Sequence, residues 1–152
     1  MISEKSLQRL RELIQLVAEA DTDDFFELAR VAGLNPAKDF CTANLSGLDL
    51  RSAQLAEANL IGTNLAHANL VNADLSNATL IGASLIGANL ISANLNGANL
   101  ISANLNGANL ISAKLLSANL TGANLMNATL NHADLRRATL MDAKLDGASL
   151  RS

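Results

Sequence analysis

Leucine recurs at every fifth position from Leu45 to Leu150 without a gap, twenty-two times in succession, and that period suits no regular secondary structure. On a helix advancing about 100° per residue, successive leucines would fall about 140° apart and smear round the cylinder. On a straight strand, an odd period sends them alternately to opposite faces. The chain must therefore change direction once per repeat if every leucine is to meet one interior. Phe40 occupies the same place one step earlier, and alanine stands two places before each leucine from Ala43 to Ala148, except at Leu48 and Thr63. Between alanine and leucine lies a small polar residue, most often asparagine, as at Asn44, Asn59, Asn89 and Asn99. The second place after leucine is rich in Gly, Ser and Asn, and glycine and asparagine tolerate positive φ. Short extended legs joined by turns, each coil stacked on the last, make a solenoid. Leucine fills its axis, and alanine sits where the wall comes closest.

The phrase Ala-(Asn/Asp)-Leu followed by two variable residues, as in Ala58-Asn59-Leu60 and Ala73-Asp74-Leu75, resembles the pentapeptide repeat proteins over about residues 38–152. That resemblance implies a mainly β fold, a right-handed quadrilateral parallel β-helix with four repeats and twenty residues to each coil, hence about five to six coils. The residues support four sides independently. After leucine, Ile91, Ile101 and Ile111 alternate with Asn96 and Asn106, a ten-residue super-period that a twenty-residue coil converts into isoleucine on two opposite faces.

Residues 1–37 precede the repeat and are expected to form an N-terminal cap of two helices, with residues 38–152 as the β-helix domain. Over residues 3–20, Leu7, Leu10, Ile14 and Val17 fall at helical spacing behind Ser3, a suitable N-cap. A second helix is expected from Asp23 to Ala32, with Asp21 or Thr22 as cap and acidic residues where the helix dipole favours them. Gly33 then serves as a left-handed terminator, and Pro36 prevents continuation. A helical lid would shield the unpaired edge of the first coil, whereas the last coil has only charged residues, Arg136 to Arg151, to blunt it. The expected state is a monomer, or a weak homodimer through that uncapped C-terminal end.

Composition excludes several functions. The one cysteine, Cys41, permits no internal disulfide. Aromatic residues are limited to Phe25, Phe26 and Phe40, so the rod has no stacking platforms for single-stranded nucleic acid. No stretch approaches the roughly eighteen apolar residues of a membrane span, and no secretory leader opens the chain, so a cytoplasmic location is expected. His67 and His132 are three coils and one side apart, about 15 Å along the axis at about 4.8 Å per coil, too far to share a metal or a reaction. Asp21, Asp23 and Asp24 lack the glycine of a calcium loop, Phe26 standing in its place. No nucleophile, base and orienter converge, and no phosphate-cradling motif appears. The expectation is a non-enzyme without cofactor or metal.

What remains is surface. Ile61, Ile81 and Ile101 stack in one outer strip, with Val71, Ile91 and Ile111 in the opposite one. Such residues suit a strand surface for local reasons, or they form an apolar contact strip for a partner. The leading expectation is a structural or protein-binding module with an unidentified protein partner, similar to uncharacterised cyanobacterial members of the family. The alternative comes from the resemblance: some members mimic DNA and bind DNA gyrase. Duplex DNA carries one negative charge per about 1.7 Å of axis, so a rod of about 26 Å needs about fifteen. Residues 41–152 hold six acidic and six basic side chains. The same neutral balance disfavours binding nucleic acid.

Overall fold

A computed structural model describes Gly33, Asn35 and residues 40–151. The helices expected over residues 3–20 and 23–32 lie outside the described residues, though Gly33 takes the left-handed φ expected of it, +78°. From Phe40 onward the chain is a parallel solenoid, and its register is twenty residues. Asn44 bridges to Asn64, Asn64 to Ser84, and Asn69 to Asn89, with equivalent parallel bridges at each five-residue step between.

The backbone hydrogen bonds of each repeat dictate its composition. In Asn94 to Ala98, three N–H groups join the ladder between coils. Asn94 donates back to the Ala73 carbonyl (2.9 Å), while Leu95 and Gly97 donate forward to the carbonyls of Lys114 (2.7 Å) and Leu116 (2.9 Å). The Ala98 N–H closes the turn on the Leu95 carbonyl at 3.0 Å. The Asn96 N–H is left over, and it donates to Oδ1 of Asn94 at 3.2 Å. Asparagine before leucine thus satisfies the one backbone donor that the coil cannot reach. The same bond recurs from Ile61 to Asn59, from Ile91 to Asn89 and from Ile111 to Asn109. Side-chain amides also climb the stack, Asn64 donating to Asn44, Asn94 to Asp74 and Asn124 to Asn104. The regular asparagines are therefore both turn caps and ladder rungs.

Every second residue after leucine, from Thr42 to Gly147, has positive φ, and fourteen of these residues are not glycine. Left-handed backbone costs an L-residue about 1–2 kcal/mol, so glycine there needs no further reason, yet it often has one. The His67 ring overhangs Gly87 one coil later, and a Cβ at Gly87 would come 2.7 Å from Nδ1. Asn127 covers Gly147 in the same manner.

Leucine and alanine fill the interior, and the leucines from Leu60 to Leu125 are fully buried. The two breaks in the alanine column have different causes. Thr63 is the one buried polar residue among those described, and its hydroxyl donates to the Phe40 carbonyl at 2.6 Å, tying the second coil to the start of the first. Leu48 is half-buried and packs against the edge of the core in the first coil. Burial fades toward the far end: Leu130 is 3% exposed, Leu145 36% and Leu150 52%, against 5% for Leu45.

Candidate functional site

The residue after each leucine opens a turn, and its carbonyl accepts from the coil before. Gly62 N–H donates to Ile81 and Gly82 N–H to Ile101, both at 2.9 Å, so Ile61, Ile81 and Ile101 form one column. Asn72 N–H donates to Ile91 (3.0 Å) and Ser92 N–H to Ile111 (2.9 Å), which stacks Val71, Ile91 and Ile111 in another. The columns are ten residues apart in a twenty-residue register, so each triplet is brought together while the two stay on opposite sides. Five of these six side chains are half-buried and Ile61 is 38% exposed. Met141, 62% exposed, lies at the far end of the Ile61 column, whereas Arg51 and Arg151 bound the Val71 column.

Ile86, 37% exposed, was missed by the ten-residue alternation because its column otherwise holds Ser46, Ala66, Asn106, Met126 and Asp146. Its place directly after Leu85 is the signal that finds it.

Charge is concentrated toward the two ends. Between Glu57 and Asp134 the only charged residues are Asp74 and Lys114, which fall in one column two coils apart. The Asp49 carboxylate accepts from the Arg51 guanidinium at 2.5 Å and 2.7 Å, and these bonds hold its pKa below the ordinary value. Asp134 receives both ends of the Arg136 fork at 2.8 Å, which lowers it to about 2. Asp74 is lowered by the Ser76 side chain and N–H, with the Asn94 amide adding to them. Each cluster is local, and among the described residues no group of three or more His, Cys, Asp or Glu side chains could hold a metal ion. Cys41 is a half-buried free thiol, His67 lies against Gly87, and the His132 N–H serves the ladder by donating to Arg151. No helix among the described residues is long and apolar enough to cross a membrane.

The repeat geometry agrees with comparison to known families. The family model of pentapeptide repeats matches in eight copies, over residues 39–70, 58–97, 93–131 and 118–152. The chain belongs to the pentapeptide repeat family. Among solved structures, this pentapeptide repeat chain is similar to the pentapeptide repeat protein Rfr23 of the cyanobacterium Cyanothece 51142, at 33% identity and TM-score 0.68. That match covers 72% of this chain and 89% of the other. It is also similar to a pentapeptide repeat protein of the Arabidopsis thaliana thylakoid lumen, at 32% identity and TM-score 0.65, covering 66% and 70%. Among curated proteins none matches. The shared fold is the right-handed β-helix of these neighbours.

Proposed function

We propose that this pentapeptide repeat chain is a non-enzymatic scaffold that engages a protein partner through its outer apolar columns, Ile61, Ile81 and Ile101 on one side and Val71, Ile91 and Ile111 on the other. The observation that carries the reading is their setting: two aligned columns of β-branched residues on a mid-rod surface whose charges are Asp74 and Lys114 alone. Apolar surface stripped of neighbouring charge is what the core of a protein–protein contact requires. The finer architecture belongs to the same reading: a four-sided rod of about five to six coils, a helical cap over residues 1–37, and a cytoplasmic monomer or weak homodimer joined at the last coil.

Affinity capture from the native cytosol tests it, with Ile81→Lys and Ile91→Lys as separate baits. The reading expects a partner lost in at least one variant while both melt like the parent chain; capture unaltered in both would remove the strips from consideration. The second reading, a DNA mimic acting on gyrase, calls for about fifteen negative charges on the rod, and the six acidic side chains of residues 41–152 are matched by six basic ones. Inhibition of gyrase supercoiling at sub-micromolar protein would restore it.

A further inference from the structure

Asparagine precedes glycine twice in this sequence, at Asn96-Gly97 and Asn106-Gly107, and aspartate does so once, at Asp146-Gly147. These are the pairs at which a backbone most readily attacks its own side chain, because glycine places nothing beside the attacking nitrogen. At asparagine, the glycine nitrogen gives up its proton and bonds to the side-chain Cγ. The bond from Cγ to the side-chain nitrogen breaks, ammonia leaves, and a five-membered succinimide remains. Water then opens the ring to aspartate or to isoaspartate, in which the main chain runs through the side-chain methylene. At aspartate the same ring forms with loss of water.

The three sites are held differently. The Gly97 N–H donates to the Leu116 carbonyl at 2.9 Å, and Oδ1 of Asn96 accepts the Leu116 N–H at 3.0 Å. One residue of the next coil thus grips both reacting groups. Closing the ring requires the Gly97 nitrogen to release its proton and the Asn96 side chain to turn toward it, and each of these movements breaks a bond to Leu116. This second grip exists because Lys114 stands where the repeat has asparagine, leaving the Leu116 N–H to be satisfied from the coil before. At Asn106 the nitrogen is likewise held, Gly107 donating to Met126 at 2.9 Å, but Met126 takes its cap from Asn124. Oδ1 of Asn106 has only the Asn127 amide, at 3.4 Å. At Asp146, the Gly147 N–H has no partner among the described residues, and the Asn127 side chain alone lies over Gly147.

We infer that Asn96 and Asn106 are latent modification sites held shut by the stacking of coils, Asn96 more firmly than Asn106, while Asp146 lacks such a ladder bond among the described residues. Reaction at the first two waits for local opening of the next coil. Isoaspartate at either site then lengthens the main chain within a five-residue repeat, so the ladder bond from glycine cannot reform in register with the neighbouring leucines. An opening event is thereby recorded covalently, and the coil does not close again.

The test measures conversion at the three sites in the full chain, folded and in urea, by peptide mapping with isoaspartate quantified. The ratio of unfolded to folded rate isolates the protection conferred by structure. It should be smallest at Asp146, at least about tenfold at Asn106, and larger still at Asn96. Lys114→Asn, which supplies Leu116 with its own cap while keeping the repeat's usual residue, should lower the Asn96 ratio to that of Asn106. Folded rates at Asn96 and Asn106 within about twofold of those in urea, protection of Asp146 equal to that of Asn96, or no change at Asn96 in Lys114→Asn would each overturn the inference.

Discussion

Asparagine before leucine is placed by a single unsatisfied N–H, and the positions where it is missing make that claim testable. Thr79 and Ser84 stand in its place before Leu80 and Leu85, and the N–H groups of Ile81 and Ile86 have no partner among the described residues. Thr79→Asn or Ser84→Asn should each raise stability by about 0.5–1.5 kcal/mol, measurable as a shift in the denaturant midpoint at constant slope. At the axis the effect is larger and of opposite sign: Leu100→Ala should cost about 2–5 kcal/mol, whereas Leu150→Ala, half-exposed in the parent, should cost far less. The carboxylates respond to acid. Asp134 titrates at about 2 in the fold against an ordinary 3.8, so the stability linked to it is complete above pH about 4 and disappears as pH falls through about 2. Thermal melts across that window should fall less steeply for Asp134→Asn than for the parent. Leucine and alanine announce their interior roles by period alone. Thr63 and Asn96 do not, because each answers a carbonyl or an N–H in another coil, twenty or more residues away, and no local pattern contains that demand.

The repeating element is the turn, and here the legibility of the sequence depends on knowing the register. Five-residue spacing is enough to require one turn per repeat, and the preference for Gly, Asn and Ser is enough to place it. Which glycines also serve to admit a neighbour emerges only when residues twenty apart are set side by side, as His67 and Gly87 or Asn127 and Gly147 are. Gly107 has the same left-handed backbone, but a Cβ added there would meet nothing within 4 Å, whereas a Cβ at Gly87 meets the His67 ring. Gly107→Ala should therefore cost about 1–2 kcal/mol from backbone strain alone, and Gly87→Ala more. The excess should vanish in the double variant His67→Ala/Gly87→Ala; a double-mutant cycle on urea midpoints reads that coupling directly.

At the scale of the molecule, a stack in which each coil bonds only to its neighbours is stable through their interfaces and weakest where an interface is missing. Native-state hydrogen exchange should rank the ladder accordingly, with Leu135, Leu140 and Leu145 N–H groups exchanging first and those of Leu90 to Leu105 last. A charge on the axis at mid-stack, Leu100→Asp, should abolish the cooperative melt altogether, since a buried unpaired carboxylate breaks the interfaces on both sides. The rod and its apolar columns were legible because a fixed period converts sequence spacing directly into position in space. The helices expected over residues 3–20 and 23–32 lie outside the described residues, and the proposed partner is not legible because no period in this chain encodes the chemistry of a second molecule. The ladder itself has a direction. In each mid-stack repeat two N–H groups aim toward the later coil and one toward the earlier, so peptide dipoles that cancel in an ordinary sheet leave one uncompensated per repeat and sum along the axis. The column is thus electrically polarised, positive toward its later coils, the reverse of an α-helix, and it would orient in an applied field even with its side-chain charges in balance.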